Sequence, residues 1–509
     1  MFENQPKALY ALALANTGER FGYYTMIAVF SLFLRANFGL SGDTAGLIYG
    51  VFLALVYFLP LVGGVMADKF GYGKMVTIGI IVMFAGYLFL SIPLGGGVMG
   101  YAAMFGALLL VSLGTGLFKG NLQVMVGNLY DAPELSAKRD SGFSIFYMAI
   151  NIGALFAPTA AVRIKEWAEH SLGYSGNDAY HFSFAVACVS LIVSMMIYYA
   201  FRSTFKHVEA GAGKSKKTDT AGTEEELTPQ QTKERIVALC LVFAVVIFFW
   251  MSFHQNGLTL TFFADEFVSP KSEGVQTMAF DVINLVMIIF MIYSLMSFFQ
   301  SKTSKAKLIS TVVFLAAVGV LVYKYHNIGG PVDVSAPIFQ QFNPFYVVAL
   351  TPVSMAIFGA LAAKGKEPTA PRKIAYGMII AGSAYLLMVL ASRGLLTPNE
   401  QTAAKAAGET VPFASGNWLI GTYLILTFGE LLLSPMGISF VSKVAPPKYK
   451  GTMMGGWFVA TAIGNLLVSV GGFLWNDIPL TIVWSVFIVL CLLSAGFMFL
   501  MMKRLEKVA

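Results

Sequence analysis

Long apolar runs follow one another from near residue 9 to the C-terminus, each closed by a short polar or glycine-rich stretch. A helix needs ~20 apolar residues to cross a bilayer. Fourteen runs reach that length, at about 9–36, 43–66, 75–95, 101–120, 140–162, 180–202, 235–263, 279–300, 307–325, 343–363, 373–393, 416–441, 452–474 and 479–502. The pattern therefore predicts an all-α polytopic membrane protein with fourteen transmembrane helices. One polar stretch breaks it. Residues 204–234, including KSKKTDTAGTEEELTPQQTKER, carry Lys, Glu, Thr and Gly without apolar periodicity, which predicts a solvated, partly helical or disordered linker.

Composition agrees with this picture. Of 509 residues, 57% are hydrophobic and 12% charged, where a soluble domain carries about 25% charged residues. A soluble enzyme, a nucleic-acid binder and a secreted disulfide scaffold are excluded. Cys188, Cys240 and Cys491 all lie inside apolar runs, so neither a disulfide framework nor a metal site is expected. The first run is too long for a signal-peptide core and contains Glu19 and Arg20, so no cleavable leader is expected.

An even number of spans puts both termini on one side. With the N-terminus inside, the inner loops hold 25 of the 34 Lys and Arg and the outer loops 7, leaving Arg20 and Lys119 in the membrane. That asymmetry is the positive-inside rule, and it accounts for the net charge of +7 without a polyanionic partner. It predicts a multi-pass protein of the cell (plasma or inner) membrane with both termini cytoplasmic.

Charges inside spanning helices are expensive and usually functional. Glu19, Arg20, Lys119 and Glu430 lie deep within spans and sum to zero. Such groups can simply pair and hold helices together, or they can line a cavity for a charged substrate or a proton relay. Their mid-helix places in both halves of the chain favour the cavity. In the first span Asn16, Glu19, Arg20 and Tyr23 share a face, with Tyr24 beside it. In SLGTGLFKGNLQ, small residues that permit close helix packing precede Lys119. Lys119 stands ~11 residues, or about 16 Å, from the loop at Tyr130, far for snorkelling, so pairing with Glu19 or with a substrate carboxylate is expected. Tyr147 and Asn151 share a face of FYMAINIGALFAP. Glu430 and Ser434 do so in LTFGELLLSPMGISF, where Pro435 suggests a hinge. GGVMADKFGYGK places Gly64, Asp68, Gly71 and Lys74 in a tight charged turn between the second and third spans.

These stretches resemble the proton-coupled oligopeptide transporter family of the major facilitator superfamily. The family's first-helix signature, ExxERFxYYG, is approached by Asn16, Glu19, Arg20, Phe21, Tyr23, Tyr24 and Thr25. FYxxINxG is matched by Phe146, Tyr147, Ile150, Asn151 and Gly153. GTGLFKGN at 114–121, FNP at 342–344, GELLLSP at 429–435 and GTMMGGWF at 451–458 resemble further family stretches, and GGVMADKFG the superfamily's loop motif. The resemblance implies a major facilitator fold of two six-helix halves that alternate access to a central site. On this reading residues 1–203 form the first bundle, 204–234 the cytoplasmic linker, and 235–509 the second bundle with an extra hairpin at about 279–325.

The function implied is import of di- and tripeptides by proton symport across the lipid bilayer, by a monomer with no cofactor, no nucleic-acid partner and no enzymatic activity. In the family the peptide's amino end is met by a glutamate, here Glu430, with asparagines, here Asn151 and Asn343. Its carboxylate is met by residues here Arg20 and Lys119. Tyr23, Tyr24 and Tyr57 line the site, with Ser434 and Trp457 near it. A zwitterion with a variable middle needs such opposite poles. Glu19, Lys119 and His254 are the expected coupling and gating residues.

Three positions depart from the family. Asn16 replaces a protonatable glutamate. Ile27 stands where an arginine is frequent, and His254 in FWMSFHQNG stands where the family has glutamate. Loss of both partners of an extracellular salt bridge leaves no orphan charge. His254 is then either a neutral hydrogen-bonding group or a replacement proton site, and a Glu19–Lys119 pair is expected to alternate with the substrate carboxylate. An uncoupled peptide carrier and a small-anion carrier of the same family are the alternatives. Plant members that move nitrate place a histidine on this same helix, although Glu430 would repel an anion. A non-transporting membrane sensor fits less well, because it would not need buried charges.

Overall fold

The computed structural model describes residues 5–136, 139–210, 227–446 and 449–508. Fourteen long helices account for most of them: α1 Lys7–Phe38, α2 Gly42–Phe70, α3 Tyr72–Leu90, α4 Val98–Asn128, α5 Arg139–Leu172, α6 Tyr180–Ala200, α7 Pro229–Phe253, α8 Val282–Gln300, α9 Ser304–His326, α10 Phe342–Ala363, α11 Ala370–Ala391, α12 Gly416–Val444, α13 Lys450–Leu466 and α14 Leu480–Val508. Among the described residues, thirteen helical segments are long and apolar enough to cross a membrane. The fourteenth, α1, has 32 residues but is diluted by its own polar stripe. It is enclosed by protein, with Glu19 fully buried.

α1 packs against α5 and α6, and α4 packs against α2 and α3, while α11 packs against α12 and α14, and α13 against α7. The two groups meet where α2 lies against α13 and where α5 lies against α10. Small residues set the spacing. A Cβ on Gly63 of α2 would stand 2.1 Å from the Gly116 carbonyl of α4, and one on Gly79 of α3 would stand 2.7 Å from the Gly114 carbonyl. With no Cβ at these crossings the backbones touch, and α4 is wedged inward with Lys119 one turn further on.

The structure changes α7 relative to the expected 235–263 span. The helix starts at Pro229, inside the expected linker, because Thr228 and Gln231 form a reciprocal capping box. It then breaks into a 3-10 turn at His254–Gly257 and resumes as a short helix over Thr259–Glu266. The carbonyls released by the break are re-paired: Asn256 O accepts from Tyr423 of α12 (2.9 Å) and from Thr261 five residues on (2.9 Å), and Ser252 O accepts from Tyr385 of α11. Such a mid-membrane interruption is tolerated only where protein re-pairs the backbone. Residues 211–226 of the expected linker lie outside the described residues; Arg202–Thr204 and Lys206–Val208 are 3-10 turns.

The expected extra hairpin is α8–α9. Only 22% and 11% of their spanning windows are buried, so the pair lies outside the packed helices. It touches them through α10, where the Tyr293 hydroxyl donates to Val348 O at 3.1 Å. Two-residue strands β1 Lys271–Ser272 and β2 Val332–Asp333 pair antiparallel at its base.

Candidate functional site

The polar face of α1 is buried as expected, but its charges are paired differently. The Arg20 guanidinium forks onto both carboxylate oxygens of its neighbour Glu19, with Nε and Nη2 each donating at 2.5 Å. The same guanidinium lies 4.6 Å from the centre of the Tyr23 ring. The expected Glu19–Lys119 pair is therefore absent. A planar fork satisfies both carboxylate oxygens at once, which an ammonium cannot do. Lys119 instead places Nζ 3.9 Å from the centre of the Tyr57 ring on α2. Among the described residues no carboxylate stands within ion-pairing distance of it.

The opposite pole is built by α10 and α12. Asn343 Nδ2 donates to Glu430 Oε2 at 2.9 Å and is shared with Thr427 Oγ1 at 3.0 Å. This single amide fixes one carboxylate oxygen, and the residue is 8% exposed. Tyr24 and Tyr57 stand between the poles, both within electrostatic reach of Arg20 and of Glu430. Across from them Tyr147 of α5 lies in reach of Glu430, Tyr24 and Tyr57, yet 46% of it is solvent-accessible. Side chains of α1, α2, α5 and α12 thus come within electrostatic reach of one another around Glu430. Asn151, one turn on, is buried and donates to Tyr147 O at 3.0 Å.

Other expected residues sit at the margins. Ser434 is half-buried one turn beyond Glu430 on the same face. Trp457 is buried against Gly437 of α12, where a Cβ would come within 2.0 Å of its indole. His254 stacks on Trp250 with ring centroids 5.1 Å apart and faces Tyr57 at 6.1 Å. In the loop turn, Gly71 closes α2 at φ 98°, Asp68 accepts from the Tyr72 hydroxyl at 2.7 Å, and Lys74 reaches towards the Phe70 ring, 5.9 Å away. Gly64 has open space where a Cβ would be.

Two clusters escaped the sequence reading. At the far ends of α1 and α7, Arg35 forms an ion pair with Glu266, whose carboxylate also accepts from Trp475 Nε1 at 3.3 and 3.2 Å. The Glu266 carbonyl accepts from Gln401 (3.0 Å) and Lys405 (2.8 Å). The available signal was a charge of opposite sign near the end of each apolar run. On the linker side, Glu209 takes a bidentate contact from Arg202 at 2.8 Å and accepts from Tyr198 at 3.0 Å. Its backbone carbonyl accepts from Gly73 N at 3.2 Å. The carboxylate holds the Arg202 guanidinium above its ordinary range, chiefly through the hydrogen bonds.

A model of the POT family matches residues 73–222 and 324–483, more than half of the chain. The chain belongs to the POT family. POT relatives match along most of their length. They include the dipeptide and tripeptide permease B of Xenorhabdus bovienii, 27% identical over 92% of this chain and 86% of the relative. The di-/tripeptide transporter of Lactococcus lactis subsp. cremoris is 29% identical over 92% and 89%. Among solved structures, a peptide transporter POT in complex with sulfate superposes with a TM-score of 0.74 at 22% identity, over 100% of this chain and 96% of that one. The fold is thus the POT form of the major facilitator architecture. The protein is a transporter of a peptide-transporting family and not an enzyme.

Proposed function

We propose that this protein imports di- and tripeptides across the cell membrane by proton symport, with both termini cytoplasmic. The bundles 1–203 and 235–509, joined by 204–234, rock about the central cavity. One observation carries the reading. Of the four charges placed mid-helix in the spans, Glu19 and Arg20 neutralise each other, which leaves Lys119 and Glu430, on helices of different bundles, as the two poles without an ion-pair partner among the described residues. A zwitterion satisfies both. Its ammonium meets Glu430 with Asn343 and Asn151, its carboxylate meets Lys119, and Tyr23, Tyr24, Tyr57 and Tyr147 line the span between, with Ser434 and Trp457 at its edge. A ligand that bridges the bundles stabilises the closed state more than either open one, which is what biases a two-state carrier.

Coupling then centres on the Glu19–Arg20 fork. Protonation of Glu19 releases the guanidinium, which can join Lys119 on the peptide carboxylate. Asn16, which cannot ionise, contributes no second site, and His254 is the remaining candidate relay. Uptake of labelled dialanine into proteoliposomes tests this. Accumulation driven by an imposed proton gradient and abolished by a protonophore is expected, and Glu19→Gln is expected to keep peptide exchange while losing accumulation. Wild-type exchange without accumulation would mark an uncoupled peptide carrier, and accumulation by Glu19→Gln equal to wild type would remove Glu19 from the coupling path.

A further inference from the structure

We propose that Gln340 and Gln341, with Thr159 facing them, form a hydrogen-bonded latch that holds the outer ends of the two bundles together over Glu430, and that a peptide enters from outside only while the latch is undone. That this end is the outer one, and that the cargo is a peptide, rests on the reading above.

Both glutamines close the 3-10 turn Ala336–Gln341 that leads into α10. The turn packs against α1, α5 and the Thr259–Glu266 helix, at the end of the molecule where Arg35 pairs with Glu266. Gln340 Nε2 donates to Ala28 O inside α1 at 3.1 Å and to Thr261 Oγ1 at 3.0 Å. One amide nitrogen thus directs a hydrogen to each bundle. A carbonyl has two lone pairs, so Ala28 O accepts it without leaving its place in the helix. Gln341 Oε1 accepts from Thr159 Oγ1 of α5 at 3.0 Å. Gln341 is fully buried, so no water replaces that partner while the ends are together.

Two routes lead from these bonds to the amino pole. Along α10, Asn343 stands two residues after Gln341 and donates to Glu430 Oε2. Across the α7 break, Thr261 donates to Asn256 O, which also accepts from Tyr423, about two turns before Glu430 on α12. The segment that fastens the bundles is therefore the segment that orients the carboxylate, and parting of the outer ends moves both. Gln340 and Gln341 are positioning residues, acting through Asn343 and the bundles. Their bonds are neutral. An ordinary hydrogen bond shifts an equilibrium by about 5-fold net, which suits a contact made and broken in every transport cycle. Unlike a buried ion pair, it leaves no bare charge when it opens.

The first readout needs no substrate. Spin labels on Val98→Cys of α4, 86% exposed, and on Glu409→Cys, exposed between α11 and α12, report the separation of the outer ends. They are placed in full-length protein lacking the three native cysteines and read by pulsed electron resonance in lipid nanodiscs. Gln340→Met keeps length and Thr159→Val keeps shape, and each removes one bond between the bundles. Both are expected to raise the ratio of long to short distances about 5-fold. Thr159→Ser, which keeps the hydroxyl, is expected to match the unaltered protein. Unchanged ratios in Gln340→Met and Thr159→Val would overturn the latch, as would an equal shift in Thr159→Ser; where one variant does not fold, the other decides.

Dialanine uptake into proteoliposomes is the second readout. Release of the latch is expected to lower the half-saturating concentration and the maximal rate together, each about 3-fold, because more of the carrier presents the entry state and closing it is harder. A fall in rate at unchanged half-saturation would overturn the latch in favour of a support for the fold. Absence of uptake by the unaltered protein would overturn the peptide reading alone, since the spin-label distances still decide the latch.

Discussion

Adjacent positions on a helix diverge by about 100°, so two neighbouring side chains meet only if one is long enough to curl back. Arg20 does so, and Glu19 is taken up by the residue beside it. The identity of the buried charges and their shared face were legible in the sequence. Their partners were not, because spacing along one helix says nothing about which of several cations in three dimensions offers the better geometry. The consequence falls on Lys119 and Glu430. Glu430→Gln is expected to reduce discrimination between dialanine and N-acetyl-dialanine by about 10-fold or more, since a neutral amide no longer prefers an ammonium; competition uptake measures it. Lys119→Gln is expected to weaken dialanine half-saturation by a similar factor, whereas it should leave the affinity for a dipeptide amide, which lacks the carboxylate, nearly unchanged. Equal loss with both ligands would show that Lys119 supports the fold and not the ligand.

Helix number and position could be read from the apolar runs, because burial in lipid demands uninterrupted apolar length. The break in α7 was hidden for the same reason: its sequence stays apolar around HQNG, and Tyr385 and Tyr423, brought from α11 and α12, re-pair the turn together with the local Thr261. The glycine contacts of α4 were legible as small residues but not as specific crossings. Gly116→Val is expected to lower stability by roughly 1–3 kcal/mol through overpacking, because a Cβ there already stands 2.8 Å from Leu59 Cβ and 3.0 Å from its carbonyl. Gly106→Ala, also on α4 but with nothing within 4 Å, is the matched control. Thermal unfolding of purified protein in detergent separates the two, and an unchanged midpoint for Gly116→Val would show that α4 can slide away from α2.

At the scale of the molecule the two groups of helices are tied together at one end. Arg35, Glu266 and Trp475 tie α1 to the end of α7, and below them α2 meets the 469–473 helix so closely that a Cβ on Gly46 would stand 3.0 Å from Gly472 Cα. Gly46→Cys with Gly472→Cys, in a background lacking the three native cysteines, is expected to cross-link on oxidation and stop transport, with activity restored by reductant. Cross-linking without inhibition would mean that these segments never separate. Glu266→Gln removes the ion pair and is expected to loosen this end. Faster labelling of a cysteine at Gly46 by a membrane-impermeant maleimide reads that out. That Ile27 and His254 cannot form a salt bridge was legible in the sequence, whereas the pair of Arg35 and Glu266, further along both segments, was not.

The β1–β2 ladder at the base of the hairpin has a meaning for how this chain could have been assembled. Directly paired antiparallel residues lie about 5 Å apart, so the polypeptide leaves the helical bundle at Ser272 and returns beside it at Val332. Everything between is a closed detour whose chain enters and leaves side by side and which rests on the bundle through Phe280 and Tyr293. Splicing Ser272 to Val332 through two or three glycines removes the detour without stretching the bundle, and a twelve-helix protein that folds and transports is expected. A gene could acquire or shed such a cassette in one event, since parity of crossings, and with it the orientation of every later helix, is untouched.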